Sequence, residues 1–315
     1  MPRRPSSADR AGPQQPWLLP PDAGPPPGSG IGPKAPADRE SSPRCHPFLK
    51  WAGGKRQLLP VLWDQIQRIG TFRTYHEPFL GGGALFFDLW NRGRIREGAS
   101  LSDVNPHLMD AWRGVQADVE SVIHHLRVHQ QQHSPEHYYA TREADPKDLA
   151  ERAARIIYLN RTCFNGLYRE NRSGRFNVPM GRYRNPTICD EPTLRAASVA
   201  LAAATIRTES FEGVAGRAAP GDLVYFDPPY VPLSRTASFT DYAADGFSLA
   251  DQRRLAEVFG ELADRGVHVM LSNAGHDLVR DLYRRFNIHR VLATRSVNSR
   301  ADRRGPVEEV LVTSF

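Results

Sequence analysis

The sequence predicts an α/β fold: a doubly wound, mostly parallel sheet with a mainly helical insert. Two expected strands each end in an unusual turn: a glycine turn follows residues 75–80, and a proline turn follows the apolar run 223–226. Strand and helix patterns alternate on both sides of a long middle segment, residues 113–199. Alternation of this kind is typical of parallel sheets that are covered by helices on both faces.

The first element of interest is the hexapeptide Lys50-Trp51-Ala52-Gly53-Gly54-Lys55. It precedes a helical pattern whose apolar positions are Leu58, Leu59, Leu62 and Ile66. Paired glycines let the backbone approach a ligand closely, and Trp51 and Lys55 offer an aromatic face and a cation. From the hexapeptide alone, a flexible turn with surface side chains is an equally good interpretation.

The second element runs from Tyr75 through Gly81-Gly82-Gly83 into the apolar helix pattern of residues 85–90. A strand, a glycine turn and a helix in this order are typical of nucleotide sites. Asp103 lies 20 residues beyond Gly83, at a distance where an acid commonly binds ribose hydroxyls. A dinucleotide dehydrogenase has a similar pattern, but these glycines do not spell Gly-x-Gly-x-x-Gly. The lack of phosphate-binding character favours a cofactor without a pyrophosphate.

The middle segment is strongly basic between residues 151 and 185. It carries eight arginines and two glutamates, a net charge of +6 that equals the net charge of the whole chain. Such a patch suits a polyanion such as nucleic acid. From charge alone, a solvated face is an equally good interpretation.

The fourth element, Leu223–Phe226, runs directly into Asp227-Pro228-Pro229-Tyr230. The two prolines stiffen the turn, and Tyr230 offers a flat face on which a base can stack. The Asp227 carboxylate and the Pro228 carbonyl are two acceptors for the protons of an amino group conjugated with an aromatic ring. Holding both protons localises the nitrogen lone pair, so the turn suits methylation of such an amine; a simple proline-rich turn is the alternative.

The last elements complete the predicted sheet. Ser248 and Asp251 resemble a helix N-cap box ahead of apolar positions at one-face spacing (Leu255, Val258, Phe259 and Leu262). A buried strand is expected at residues 267–271, ending at Ser272-Asn273. Residues 288–291 and 307–315 read as a final strand pair.

Composition sets the remaining expectations. Residues 1–46 are expected to be a disordered tail, since the first 47 residues hold 13 of the 26 prolines and few apolar residues. No export signal and no membrane span are recognised, so a soluble cytoplasmic protein is expected. Three cysteines without metal-like spacing, and a polar helix stripe of His125, His129 and His133, indicate no metal site.

Several motifs in this order resemble the Dam-type DNA adenine methyltransferases, the D12 class or class alpha. The resemblance runs from about Phe48 to the C-terminus. It rests on residues 50–55, on Glu77-Pro78-Phe79-Leu80-Gly81-Gly82-Gly83-Ala84, on Ser102-Asp103-Val104-Asn105, on residues 158–169 and 176–183, on Asp227-Pro228-Pro229-Tyr230 and on the loop at 231–242.

The resemblance implies the methyltransferase fold and S-adenosyl-L-methionine as cofactor. It implies a catalytic domain from residues 47–112 and 200–315, a target-recognition domain at 113–199 and double-stranded DNA as partner. Family members of this sort usually methylate adenine in GATC. It also implies a monomer that is nucleoid-associated when bound to DNA, and a flap at 234–242 that orders over DNA. A solitary enzyme and one with a companion restriction endonuclease both stay open.

The resemblance also implies residue roles. Cofactor contacts would come from Trp51, Lys55, Glu77, Phe79, Gly81, Asp103 and Asp227. The catalytic turn would be Asp227, Pro228, Pro229 and Tyr230, with Asp227 and Tyr230 holding a flipped adenine. DNA contacts would come from Lys50 at the outer guanine, Phe164 as a wedge, Asn165 and Leu167 at the displaced partner base, Arg169 at a guanine and Pro179 at a thymine methyl.

Alternatives remain at this point. Arg169 would otherwise hold a phosphate, and Phe164 would otherwise pack in the core. The substrate would otherwise be another amino group: cytosine in DNA, adenine in RNA or glutamine in protein. A catalytically silent DNA-binding regulator is the alternative outside enzymes.

Overall fold

A computed structural model describes residues 44–230 apart from Ala52 and Gly54, residues 247–294 and residues 306–315. In this part of the chain the strands are β1 (Tyr75–Glu77), β2 (Ala99–Asp103), β3 (Ala204–Thr208), β4 (Leu223–Phe226), β5 (His268–Ala274), β6 (Asn287–Thr294) and β7 (Pro306–Thr313). The helices are α1 (Leu59–Arg68), α2 (Ala84–Asn91), α3 (Pro106–Ala117), α4 (Val119–Gln131), α5 (Pro135–Glu143), α6 (Leu149–Thr162), α7 (Glu191–Leu201), α8 (Leu249–Asp264) and α9 (Asp277–Leu282). Short 3-10 helices lie at Phe164–Gly166 and Phe211–Gly216.

All seven described strands join one sheet in the order β3-β2-β1-β4-β5-β7-β6. The neighbours from β3 to β5 are parallel, and β7 runs antiparallel between β5 and β6. The predicted fold class is confirmed. After β1 the chain continues to β2 on one side, and β4 later pairs with β1 on the other side. This reversal opens a crevice at the carboxyl end of β1, where ligands bind in open α/β sheets.

Each face of the sheet has its own apolar layer. The pleat of β4 sends Leu223 and Tyr225 into one layer and Val224 and Phe226 into the other. The first layer is covered by α1, α2 and α3, and the second by α8 and α9. Because all four residues of β4 are buried, the catalytic turn that follows starts from a fixed position.

Local signals placed several elements correctly. Ser248 Oγ accepts the Asp251 amide at 3.2 Å, and the Asp251 carboxylate accepts the Ser248 amide at 2.7 Å, so the predicted capping box begins α8. The helices predicted after residues 55 and 83 are α1 and α2. The expected final strand pair is the β6–β7 hairpin pairing.

The middle segment is helical, as expected, and it shares its core with the sheet. One buried cluster includes Leu101 of β2, Trp112 of α3 and Ile157 of α6. Boundaries at residues 113 and 199 fall inside α3 and α7, so the division into two domains stays a prediction.

The first described residues are firmly held. The Cys45 amide donates to Asn91 Oδ1 at 2.9 Å, and Asn91 Nδ2 donates to the Cys45 carbonyl at 2.9 Å. The tail boundary at residue 46 stays a prediction, because residues 1–43 lie outside the described part of the chain. None of the described helices is both long and apolar enough to span a bilayer.

The histidine stripe on α4 is more than a polar surface. His129 stacks on the Tyr158 ring of α6, and His133 Nδ1 lies 2.9 Å from the Tyr158 hydroxyl. Burial, together with His137 and His125, lowers the pKa of His129 to about 4. These histidines therefore serve helix packing. Among the described residues, no three His, Cys, Asp or Glu side chains are arranged to hold a metal.

Candidate functional site

The crevice at the carboxyl ends of β1, β2 and β4 collects three of the motifs. The glycine turn follows β1, Asp103 ends β2, and Asp227 follows β4. Because β1 lies between β2 and β4 in the sheet, both acids flank the glycine turn. Sequence analysis brought these groups together correctly.

The glycine turn is shaped by positive φ angles and close aromatic contacts. Gly81 and Gly83 have φ of +46° and +62°. A Cβ on Gly81 would lie 2.8 Å from Cδ1 of Trp51, and one on Gly83 would lie 2.5 Å from Cη2 of Trp112. Only glycine fits at these positions, and the Trp51 indole lies directly against the turn.

Asp103 lies beside this turn with both carboxylate oxygens engaged by the backbone. Gly81 N donates to Oδ2 at 3.1 Å, and Asn105 N donates to Oδ1 at 3.1 Å. Burial raises the pKa of Asp103, while these backbone hydrogen bonds oppose the rise. Each oxygen keeps a further lone pair, so the carboxylate is able to accept two neighbouring hydroxyls.

Glu77 is buried, and Phe79 packs against another aromatic ring. Glu77 is 3 % exposed and accepts the Tyr75 hydroxyl at 2.9 Å. Burial raises the pKa of Glu77 to about 8, so this carboxyl is protonated at neutral pH. Phe79 stacks on Phe211 with ring centroids 5.5 Å apart. Cofactor contacts from Glu77 and Phe79 stay a prediction.

The catalytic turn centres on a carboxylate with two donors. Lys55 Nζ lies 3.0 Å from Asp227 Oδ1, and Ser272 Oγ donates to the same oxygen at 2.8 Å. The Asp227 side chain is 18 % exposed. Burial raises the pKa of Asp227, and Lys55 and Ser272 oppose that rise. The carboxylate is thus held at one oxygen, and its other oxygen remains an acceptor.

Tyr230 and the two prolines are fixed from other elements. The Tyr230 hydroxyl donates to Glu309 Oε2 of β7 at 3.0 Å, and Lys55 Nζ lies 4.3 Å from the ring centroid. Gln252 of α8 donates to the Pro229 carbonyl at 3.0 Å, and Pro228 is buried. The Tyr230 ring is therefore held at its hydroxyl end, next to Asp227.

Five of the predicted DNA-contact residues, together with Tyr183, form what we term the recognition surface: Lys50, Phe164, Asn165, Arg169, Pro179 and Tyr183. Phe164 is 48 % exposed, which excludes core packing for this side chain. Asn165 adopts φ 55°, a left-handed backbone conformation that is uncommon for residues other than glycine and is typical of a tight turn. The Phe164 amide donates to the carbonyl of exposed Pro179 at 2.9 Å, so these two side chains are neighbours.

The backbone of Lys50 is fixed by two hydrogen bonds to the side chain of Asn160. Lys50 N donates to Asn160 Oδ1 at 2.7 Å, and Asn160 Nδ2 donates to the Lys50 carbonyl at 2.6 Å. A Cβ on Gly166 would lie 2.9 Å from the Lys50 side chain, and Lys50 Nζ lies 4.6 Å from the Tyr183 ring centroid. Lys50 thus extends from the cofactor motif into the recognition surface. Leu167, by contrast, is half-buried against the core.

The basic segment divides into two kinds of arginine. Arg152 pairs with Asp110, Arg155 donates to main-chain carbonyls of α5, and Arg161 donates to the Phe48 carbonyl. The exposed arginines are Arg169, Arg172, Arg175, Arg182 and Arg184. Arg169 Nε donates to Asn177 Oδ1 at 2.7 Å and Arg169 Nη2 donates to the Asn177 carbonyl at 3.4 Å, so Asn177 orients the guanidinium of this exposed residue. Three of the eight arginines therefore stabilise the protein itself, and the expected polyanion patch is smaller than the segment's charge.

Trp51 joins the two halves of the site. Its indole lies against Gly81 on one side and packs against the Tyr168 ring at 5.1 Å between centroids. Tyr168 directly precedes Arg169 of the recognition surface.

Sequence analysis missed Ser272, Glu309 and Asn160. Ser272 had a usable signal, because it lies near the carboxyl end of a strand that runs parallel to β4. Glu309 and Asn160 had none, since each acts on a residue at least 79 positions away in the chain. The flap expected at 234–242 lies outside the described residues.

Comparisons with known proteins agree with the site. A family model described as D12 class N6 adenine-specific DNA methyltransferase matches residues 51–297. A Lactococcus lactis subsp. cremoris protein named Type II methyltransferase M1.LlaDCHI is 43 % identical over 85 % of this chain and 95 % of its own length. Type II methyltransferase M.MjaIII of Methanocaldococcus jannaschii is 39 % identical over 85 % and 99 %. The DNA adenine methylase of Escherichia coli K12 is 36 % identical over 84 % and 93 %.

Proposed function

The chain belongs to the D12 class of N6 adenine-specific DNA methyltransferases, and from this membership we propose that it methylates an adenine turned out of duplex DNA within GATC. Methyl transfer from S-adenosyl-L-methionine to adenine N6 of DNA is the activity of the family. The observation that carries the finer proposal is the Asp227 carboxylate, held at one oxygen beside the Tyr230 ring at the mouth of the crevice.

The residues in the crevice fit the cofactor. Gly81 leaves room that a Cβ would fill, and the Trp51 indole borders that room. Asp103 offers a carboxylate for ribose hydroxyls, and the motif places no phosphate-binding cradle there. The cofactor would be held by Trp51, Lys55, Glu77, Phe79, Gly81, Asp103 and Asp227. When bound, S-adenosyl-L-methionine supplies a methyl group on a positively charged sulfur that leaves as a neutral thioether.

The catalytic turn would activate the target amine by hydrogen bonding. An adenine N6 lone pair is delocalised into the ring, so the nitrogen is a poor nucleophile. Asp227 and the Pro228 carbonyl would each accept a hydrogen bond from one N–H of the amino group, and Tyr230 would stack on the base. The stiffness of Pro228 and Pro229 would keep the two acceptors in place. Alignment of the amine is the main contribution, and effects of this kind reach roughly 7–11 kcal/mol.

The recognition surface would extrude and identify the base. Phe164 would fill the space left by the everted adenine, whose extrusion costs a few kcal/mol. Asn165 and Leu167 would contact the partner base, Lys50 and Arg169 would each contact a guanine, and Pro179 would contact a thymine methyl. An arginine–guanine pair gives about 1–3 kcal/mol of discrimination. The remaining exposed arginines would bind phosphates.

The wider assignments rest on the same family. Residues 113–199 would serve target recognition, and residues 47–112 with 200–315 would serve catalysis, in a monomer that works in the cytoplasm on nucleoid DNA. A companion restriction endonuclease is proposed because two of the relatives are named type II methyltransferases.

Label transfer tests the proposal directly. Purified protein is given cofactor labelled in the methyl group and either a duplex with one GATC site or a matched duplex with that site scrambled. We expect label in N6-methyladenine from the GATC duplex alone. Label in N4-methylcytosine, or in RNA but not DNA, would assign a different amino group. Equal labelling of both duplexes would reject GATC.

A further inference from the structure

A chain of buried hydroxyls lies behind the catalytic carboxylate. Ser272 of β5 and Tyr225 of β4 are each 1 % exposed. The Tyr225 hydroxyl lies 2.9 Å from Ser272 Oγ, and Ser272 Oγ lies 2.8 Å from Asp227 Oδ1. The parallel register explains the contact: Phe226 pairs with Leu271, so the next residues, Asp227 and Ser272, are level.

Proton counting fixes the direction of these hydrogen bonds. An ionised carboxylate has no proton to donate, so the single hydroxyl proton of Ser272 goes to Asp227. The Ser272 oxygen then acts as acceptor, and the Tyr225 hydroxyl donates to it. The order Tyr225 to Ser272 to Asp227 therefore holds whenever Asp227 is charged.

The hydroxyl chain constrains how Asp227 meets its substrate. Ser272 and Lys55 both bind Oδ1, from β5 and from the segment before α1. Two donors from different elements fix the rotation of the carboxylate, and neither of them uses Oδ2. Lys55 comes from a glycine-containing segment, whereas Ser272 comes from a fully buried stretch of strand, so Ser272 is the rigid one of the two.

We propose that Ser272 is a positioning residue for methyl transfer, whose hydroxyl, itself fixed by Tyr225, holds the Asp227 carboxylate with one oxygen available to the adenine amino group. The proposal rests on the proposed function, in which Asp227 accepts a hydrogen bond from that amine. The residues that hydrogen-bond a reacting group commonly decide whether that group is held in productive geometry.

The electrostatic surroundings allow a test by pH. The titratable groups that act on Asp227 are Lys55 before α1, Tyr75 and Glu77 of β1, Tyr225 of β4, and Tyr230. Of these, Glu77 is protonated at neutral pH and the tyrosines are neutral, so Lys55 is the charged one. The Ser272 hydrogen bond favours the charged form of Asp227, and its loss raises the pKa of that carboxyl.

The experiment uses the full chain with three variants and two matched controls. Ser272→Ala removes the hydroxyl, Ser272→Thr keeps it, and Tyr225→Phe removes the donor behind it. Ser314→Ala controls for loss of a serine that bonds the backbone of the same strand. Tyr283→Phe controls for loss of a buried tyrosine hydroxyl that has no hydrogen-bond partner in the described part of the chain.

We expect Ser272→Ala to lower kcat by about 10- to 100-fold, since small misplacements of a reacting group cost up to about 100-fold. The acid limb of its kcat–pH profile moves to higher pH, and cofactor Kd changes by less than about threefold. Tyr225→Phe lowers kcat by a smaller factor, about twofold to tenfold, and moves the acid limb in the same direction. Ser272→Thr returns the acid limb to the wild-type position. Both controls keep wild-type kcat.

Two results would overturn the proposal. One is a Ser272→Ala kcat within about twofold of wild type; the other is a lowered kcat with an unmoved acid limb, which marks a general structural defect. Asp227→Ala separates this failure from failure of the proposed function. If Asp227→Ala is inactive while Ser272→Ala is normal, Asp227 acts without Ser272; if Asp227→Ala is active, the proposed site itself is wrong.

Discussion

At the scale of single residues, Glu77 shows how burial sets charge in this site. Its carboxyl is 3 % exposed, bonded to the Tyr75 hydroxyl, and has a pKa of about 8 because water is excluded. In the unfolded chain the same group ionises near pH 4.5. Between these two values the folded state binds one more proton than the unfolded state, so stability falls as pH rises across that window.

We predict that Glu77→Gln removes this fall. The amide is neutral at every pH and similar in shape, so the free energy of unfolding of the variant should depend less on pH between about 5 and 8. The free energy of unfolding of the variant, measured against that of wild type, should be higher at pH 8 than at pH 5 by on the order of a few kcal/mol. Urea unfolding at both pH values measures the difference. Parallel pH dependences of the two proteins would mean that Glu77 ionises in the folded state.

Arg169 is the second residue whose role depends on its surroundings. Asn177 accepts from the Arg169 Nε and, at 3.4 Å, from the Arg169 Nη2, so the exposed guanidinium is held in one orientation. A planar guanidinium suits an acceptor pair such as the guanine edge. A phosphate contact is the alternative that the sequence left open, and substitution of Arg169 distinguishes the two roles.

We predict that Arg169→Ala relaxes base choice at one position of the target. The expected loss of discrimination is about 1–3 kcal/mol at that base pair, with smaller changes elsewhere. Arg175→Ala, which removes another exposed arginine, should instead weaken all duplexes alike. Relative kcat/KM on a set of singly substituted duplexes is the measurement. Uniform weakening by Arg169→Ala would identify a phosphate contact.

At the scale of elements, the helical middle segment that carries the recognition surface depends on the close approach of α3 and α6. A Cβ on Gly114 of α3 would lie 2.4 Å from the Ala153 Cβ of α6, although Gly114 itself is in ordinary helical backbone. The glycine is therefore required by packing and not by its φ angle.

We predict that Gly114→Ala destabilises the protein by about 1–3 kcal/mol, because the two helices must separate. Gly216→Ala, where an added Cβ meets nothing within 4 Å, is the matched control and should change stability by less than about 0.5 kcal/mol. Chemical denaturation measures both. Equal stabilities for the two variants would show that α3 and α6 adjust without strain.

Elements with strong local signals could be predicted from sequence, and those that depend on distant pairing could not. The Ser248–Asp251 capping box and the helical spacing after it are local, and they gave the start of α8 correctly. The position of β7 between β5 and β6 depends on pairing between strands far apart in sequence, so a final strand pair was predicted but its order in the sheet was not.

At the scale of the whole molecule, the sheet explains why the motifs form one site. Asp103, Gly81 and Asp227 were found from sequence because each lies at or just beyond the carboxyl end of a strand, and parallel strands bring their carboxyl ends to one edge. Ser272 and Glu309 were not found, because their contacts with the catalytic turn follow from strand register and from an antiparallel strand.

Net charge likewise gave only part of the recognition surface. The basic segment was identified from its arginines, yet Arg152, Arg155 and Arg161 bond within the protein. Charge counted along a chain cannot distinguish an arginine that binds a carbonyl from one that faces solvent.

The central claim is that Asp227, the Pro228 carbonyl and Tyr230 hold the amine that receives the methyl group. The most direct measurement is the single-turnover rate of methyl transfer to a one-site duplex by wild type and Asp227→Ala at saturating cofactor, with Asp264→Ala as a surface control. The account predicts that Asp227→Ala slows transfer by about 100-fold or more while Asp264→Ala keeps the wild-type rate. Transfer by Asp227→Ala at the wild-type rate would contradict it.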